Sequence, residues 1–353
     1  MAELFVELLQ VSLGTRDKLS RDPSEREWDA LYNEAEMQAV VGLLLTGLER
    51  LPAEQLPPLE VKLQWIGMAQ MMEAEYKVHC ERAAELTAQF RDAGLHTCLL
   101  KGIGTAQYYP NPSRRQCGDI DLWVDGSRKD VIAFVKKLDS EAKPKFKDIA
   151  FPYKETEVEI HFIPTYLNNF HYNKRLQRFI KENRQQQFDN NIEVGNGLSI
   201  CTPTDDFNVI YQMSHLYHHF LSEGIGMRHF VDYFYLLKRD DVRCKREELR
   251  CKLRDFGMLK FANGVMWVLQ EKLGLDDKYL VVEPKEKIGR LILKQILEYG
   301  NFGNKELEGK SKFRTWMSTT FKPIKYLSHF PGACFDRLVF MGWLQIWKIL
   351  HKE

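Results

Sequence analysis

The period of the apolar residues changes abruptly at Ala93-Gly94, and that change constrains the fold more than any other feature. Before it, from Glu3 to Leu13, Glu25 to Leu48 and Pro58 to Phe90, apolar residues recur every three or four positions. That spacing puts one side of a helix against a core. Residues 58–92 are long enough for one extended helix, and the Leu-Pro steps near 51 and 56 punctuate the run. After it the pattern shortens. Leu95 to Leu100 is a compact apolar run suited to a buried strand, and Asp119 to Val124 alternates charged and apolar residues with period two. Residues 145–163 read as a hairpin, with strands around Lys147–Tyr153 and Val158–Phe162 and a turn at Lys154-Glu155. Short helices are expected at Thr105–Tyr109 and Ser127–Leu138.

From 204 onward helical spacing returns. Thr204-Asp-Asp offers an N-cap for Phe207–Leu221, and further helices are expected over 227–239, 245–256, 258–273, 284–299 and 334–350. The reading is an α+β protein: a small mixed β-sheet domain over 93–200, between an N-terminal helical region, 1–92, and a helical C-terminal domain, 201–353. At 353 residues, about two domains agree with the length.

Formal charge is +1, so no global basic excess advertises nucleic acid. The seven cysteines are dispersed with no CxxC pair, as in a reduced thiol set, and Met1–Gln10 lacks the basic start of a signal peptide. No run of about 18 apolar residues suggests a membrane span. These features predict a cytoplasmic protein. The aromatic stretch Phe335–Leu350, with Trp343 and Trp347 and basic Lys348, His351 and Lys352, is expected to be core or an inter-domain face. The basic runs Lys143–Lys147 and Lys174–Lys181 read as solvated faces.

Asp119 and Asp121 stand two apart on a predicted strand, so both carboxylates leave the same face. At an effective dielectric near 20 such a pair repels by a few kcal/mol, roughly, and a divalent cation offsets that. Oxygen ligands favour Mg²⁺ or Mn²⁺. A third carboxylate lies on the hairpin's second strand, where Glu159 and His161 share a face with Glu157. Glu159 is the preferred third ligand. Upstream, Lys101-Gly102-Ile103-Gly104 is a strand end entering a Gly turn whose backbone can approach phosphate, with Lys101 or Arg115 adding charge. His215 and His219 are one helical turn apart and more often structural than metal-binding; Arg228 and Asp232, four apart, suit a helix-face ion pair.

Lys101-Gly102, Arg114-Arg115, Gly118-Asp-Ile-Asp-Leu-Trp-Val124 and Glu159-Ile-His161 together resemble the DNA polymerase beta-like nucleotidyltransferase superfamily. The likeness is closest to a bacterial uncharacterised nucleotidyltransferase family, and more distant to abortive-infection nucleotidyltransferase toxins. It spans about 95–240. Two departures stand out: Ile103 replaces the second residue of the superfamily's Gly-Gly/Ser turn, and Glu159 stands where close relatives usually carry Asp. The resemblance implies a catalytic and metal-binding set of Asp119, Asp121 and Glu159, with Mg²⁺ or Mn²⁺. Nucleotide binding would fall to Lys101, Gly102, Gly104, Thr105 and Arg115, and substrate contact to His161, His215 and His219. The reaction implied moves an NMP from an NTP to an acceptor hydroxyl. The acceptor stays open among a small molecule, a protein and tRNA, the last without support from charge. Two rivals are a catalytically silent binding module of the same fold, and a metal-dependent phosphohydrolase that would need a His-Asp dyad the sequence lacks.

Overall fold

The computed structural model describes residues 2–195, 197–301 and 322–351. Met1 and Lys352, named above, lie outside them. The N-terminal helices are α1 (Ala2–Leu13), α2 (Glu25–Met37), α3 (Val41–Leu48) and α4 (Leu59–Asp92). The single helix expected over Glu25–Leu48 is broken between Met37 and Val41. Ala39 takes φ +56, and Val40 N–H bonds back to the Ala35 carbonyl, a helix-ending loop that usually calls for glycine. Buried Gln38 compensates: its amide donates to the Ile296 carbonyl (2.9 Å) and accepts from Met227 N–H (2.8 Å). Long-range hydrogen bonds thus override a continuous local pattern.

The 34-residue α4 forms as predicted and serves two cores. Val61, Trp65 and Met72 pack with α1–α3, while Ala83, Leu86 and Phe90 pack under the sheet. That sheet is mixed, in the order β1 (His96–Leu99), β2 (Ile120–Asp125), β5 (Thr156–His161), β4 (Asp148–Tyr153), β3 (Lys143–Pro144). β2 and β5 are parallel; the other neighbours are antiparallel. One sheet face, with Ile120, Leu122, Val124, Val158 and Ile160, buries against α4 and α6 (Arg128–Leu138). The opposite face carries Trp123 and the charged residues. Trp123 packs on Phe188 and stacks on Phe207.

Between β2 and β1 lies α5 (Ile103–Ala106), four residues long, shorter than the helix expected through Tyr109. Sequence periodicity missed α7 (Phe170–Glu182), α8 (Arg184–Asp189) and a second hairpin, β6 (Asn191–Val194) with β7 (Leu198–Cys201). The basic run at 174–181 is the outer part of α7, whose Leu176 and Ile180 are buried. The helical half follows with α9 (Asp205–Phe220), α10 (Met227–Leu237), α11 (Asp240–Cys244), α12 (Arg246–Asp255), α13 (Leu259–Leu273), α14 (Glu286–Tyr299) and α15 (Pro331–His351). α15 lays Phe340, Trp343 and Trp347 around Phe146. No helix among the described residues is long and apolar enough to cross a membrane.

Candidate nucleotidyl-transfer site

The β1 strand delivers the first site residue. Leu100 N–H bonds to the Asp121 carbonyl (2.9 Å), extending the ladder and carrying Lys101 over β2. Gly102 then turns the chain with φ +62, where a side chain would be strained, and a Cβ there would sit 3.3 Å from the Asp119 carbonyl oxygen. The close approach holds the turn against the acidic strand. The Lys101 ammonium lies 3.0 Å from Asp121 and 3.9 Å from Asp119.

Parallel pairing supplies the rest. Asp121 is the register partner of Glu159, and Trp123 of His161, so all four project from one face. His161 Nε2 is 2.8 Å from Asp121 Oδ1 and 3.5 Å from Glu159 Oε2. Asp121, Glu159 and His161 each offer a ligand atom, and these lie within 4.8 Å of one another. Asp119 precedes β2 and is the more open acid, its side chain 40% exposed against 0% for Asp121.

The donor set fits a divalent cation. Asp121 Oδ2 is buried with no hydrogen-bond partner among the described residues, an arrangement that costs free energy until something satisfies it. The carboxylate oxygens suit Mg²⁺ or Mn²⁺, and the one imidazole favours Mn²⁺ over Mg²⁺.

The charges are tightly linked. Repulsion from Asp121, with burial, raises the Asp119 carboxyl against the pull of Lys101. Burial acts to raise Asp121 as well, but Lys101 and the His161 hydrogen bond hold it below its ordinary range. Glu159 is likewise lowered: burial resists, and His161 and Lys147 outweigh it. Burial and Lys147 oppose charge on His161, yet its bonds to Asp121 and Glu159 raise it. Lys101 is held above its ordinary range by Asp121 and Asp119 despite burial.

Two cavities meet at these residues. One of about 420 Å³ lies on the Glu159 side and includes Asp119, Lys147, His215, His219 and Lys348 in its walls. A smaller one, of about 40 Å³, lies over the Gly102 turn and includes Thr105, Arg115, Gly118 and Arg228. Lys101, Asp119 and His215 border both.

Not every predicted residue arrives as expected. Arg115 is buried, and its Nε and Nη2 each lie 2.7 Å from a carboxylate oxygen of Asp232 on α10. Its Nη1 donates to the Gly102 carbonyl (3.1 Å), and Asp232 also accepts from the Tyr109 hydroxyl (2.6 Å). Arg115 therefore holds the turn to the helical half. Both oxygens of Asp232 are engaged by Arg115, and Arg228, four residues away on α10, acts on the same carboxylate through its charge while donating to the Gln116 carbonyl (2.9 Å). Gly104 borders a different cavity from Gly102, with Gln107, Tyr108 and Asp205, and a Cβ there would meet Thr202 at 3.1 Å. Thr105 is buried, its hydroxyl without a hydrogen-bond partner among the described residues. His215 is held well below its ordinary pKa, first by burial and then by His219 and Lys101; His219 Nδ1 lies 2.6 Å from Glu223. Neither belongs to a metal-holding group among the described residues.

Lys147 is a site residue that the solvated reading of 143–147 missed. It lies 3.2 Å from Asp148 and 3.7 Å from Glu159. Its position beside the strand that pairs with Glu159 was the available signal. Lys348, on a helix far away in sequence, also borders the larger cavity and offered no such signal.

No curated protein matches the chain. A crystal structure of an antigenic nucleotidyltransferase-like protein from Paracoccidioides brasiliensis aligns with a TM-score of 0.35 at 12% identity, covering 60% of this chain and 96% of that one. The sequence profile of an uncharacterised nucleotidyltransferase family matches residues 24–274, more than half the chain. The chain belongs to the uncharacterised nucleotidyltransferase family.

Proposed function

We propose that this protein transfers a nucleoside monophosphate from an NTP to an acceptor hydroxyl and releases pyrophosphate, as in the DNA polymerase beta-like superfamily. One observation carries the reading: buried Asp121, with an unsatisfied Oδ2, stands in register with Glu159 beside the Gly102 turn. Asp119, Asp121 and Glu159 would hold Mg²⁺ or Mn²⁺. Bound there, the cations would activate the acceptor hydroxyl and neutralise charge on the departing pyrophosphate.

The chain's own residues set the geometry. His161 fixes the orientation of Asp121 through its 2.8 Å contact. Gly102 lets the backbone approach the β- and γ-phosphates, and Lys101 adds charge beside them. Arg115 acts on the nucleotide through that turn, since its guanidinium is committed to Asp232 and the Gly102 carbonyl. Lys147 balances Glu159 on the acceptor side.

The test is incubation of the protein, Mg²⁺ or Mn²⁺ and α-labelled NTPs with candidate acceptors. Label should move to acceptor in the wild type and stay in the NTP with Asp121→Asn. Metal-dependent NTP binding without any transfer would favour the silent binding module; equal transfer by the variant would end the proposal.

A further inference from the structure

A third cavity, of about 140 Å³, is walled by residues of α7, α9 and the start of α15. Tyr166, Tyr172, Tyr217 and Phe256 give it aromatic sides, and Asn168 and His218 are among its polar members. Packing fixes those sides. Gly257 turns the chain with φ +70, and a Cβ there would collide with the Tyr172 ring. Tyr217 stacks on Phe261 at 4.9 Å between ring centres, and Tyr166 on Phe340 at 5.0 Å.

Two polar atoms of these lining residues are left open. Two adjacent asparagines show the contrast. Asn169 serves the fold: its Oδ1 accepts the Tyr172 N–H (2.9 Å) at the start of α7, and its Nδ2 donates to Asp336 (3.0 Å). Asn168 is only 8% exposed, yet its Oδ1 has no hydrogen-bond partner among the described residues. His218 packs edge-on against Tyr166, 5.0 Å between ring centres, and its buried Nδ1 is likewise without a partner among the described residues. Such atoms cost free energy until something meets them. An aromatic hollow with a few polar atoms is the usual form of a small-molecule site.

Size and chemistry narrow the ligand. A cavity of about 150 Å³ in a protein core admits one benzene ring, so this one suits a single six-membered ring and is small for a purine. Asn168 Oδ1 can only accept a hydrogen bond, whereas an imidazole Nδ1 can donate or accept. The complement is a flat ring with an N–H beside a carbonyl or ring nitrogen, which describes the pairing edge of a pyrimidine base. Tyr166 and His218 also border the larger cavity that includes Asp119 and Glu159, so the two spaces adjoin.

We propose that this cavity receives a pyrimidine base, with Asn168 and His218 reading its pairing edge. The choice of a nucleobase rests on the nucleotidyl-transfer reading, which supplies two sources for it, the donor NTP and the acceptor.

Titration calorimetry on the full-length protein with Mg²⁺ tests this. The probes are UTP, CTP, ATP and GTP, then uridine and cytidine with and without saturating ATP, and toluene. If the base belongs to the donor, UTP or CTP should bind at least about tenfold tighter than ATP and GTP. If it belongs to the acceptor, the four NTPs should bind alike and uridine or cytidine should bind beside ATP. In either case Asn168→Ala should weaken the pyrimidine about tenfold and His218→Phe about threefold, with ATP affinity unchanged. Ala333→Leu, which fills the cavity from α15, should abolish pyrimidine binding. If Asn168→Ala does not fold, Ala333→Leu and His218→Phe decide. Pyrimidine binding indifferent to these variants would overturn the proposal. So would toluene binding as tightly as the nucleosides, or NTPs bound alike with no nucleoside bound. Absence of all NTP binding would instead count against the nucleotidyl-transfer reading, while the nucleoside titrations without ATP still report on the cavity.

Discussion

Two arginines are buried to nearly the same degree and are partnered in opposite ways. Arg115, 5% exposed, is gripped by both oxygens of Asp232 and by the Gly102 carbonyl; Arg337, 6% exposed, has no ion pair among the described residues. Burying a guanidinium costs several kcal/mol, roughly, unless hydrogen bonds and an opposite charge return it. In Arg115 the return comes from within the chain, so that charge serves the fold and aligns the turn. Arg337 has no such return from an ion pair among the described residues, and its Nε is buried without a hydrogen-bond partner. The same division runs through the carboxylates: Asp232 is fully occupied, and Asp121 keeps a buried oxygen open.

This contrast can be broken in four places. The largest effect should be on transfer. Asp121→Asn should lower the rate of label transfer by at least about a thousandfold, about 4 kcal/mol of barrier, with a melting temperature close to wild type. Large unfolding in that variant would move Asp121 to the structural side. Next is Asp232→Ala, which strands Arg115 and should cost about 3 to 5 kcal/mol in denaturant unfolding. A loss under 1 kcal/mol, roughly, would show that Arg115 is not a structural clamp.

The third concerns pH. His215, His218 and His229 are all held well below their ordinary range, chiefly by burial. The folded chain therefore binds fewer protons than the unfolded chain once pH drops below 6.5, the ordinary histidine value. The stability they contribute is complete above pH 6.5 and is lost as pH falls toward their folded values. The expected slope is up to about 1.4 kcal/mol per pH unit for each group, largest for the buried His229 and smaller for the half-buried His215 and His218. Chemical denaturation between pH 7 and pH 5 reads it, and His229→Gln should flatten it. The smallest effect is Arg337→Met, which should leave stability unchanged within about 1 kcal/mol or raise it, because no internal partner is stranded. A loss like that of Asp232→Ala would erase the distinction between the two arginines.

Much of the site could be read before any coordinates. Alternation along Asp119–Val124 and Val158–His161 placed Asp121, Glu159 and His161 on single faces, because side chains two apart in a strand emerge on the same side. The positive φ at Gly102 matches its choice as a turn residue. What escaped was set by distant partners. Arg115 looked like a phosphate ligand because nothing local announces Asp232, 117 residues away. The helix over Glu25–Leu48 looked continuous because Gln38 takes its partners from Met227 and Ile296. Lys147 looked solvated because only the sheet brings it to Glu159.

By itself the sequence determined α4, the strands β2 and β5 and most of the later helices, and which side of each is polar, since helix and strand periods follow from backbone geometry over a few residues. It did not determine α7, α8 or the β6–β7 hairpin. Tertiary structure alone decided the parallel register that sets Asp121 opposite Glu159, the pairing of Arg115 with Asp232, and the return of α15 over the cavity. Those depend on which surfaces meet across the chain and on how much charge each contact must take out of water, quantities that no local pattern encodes.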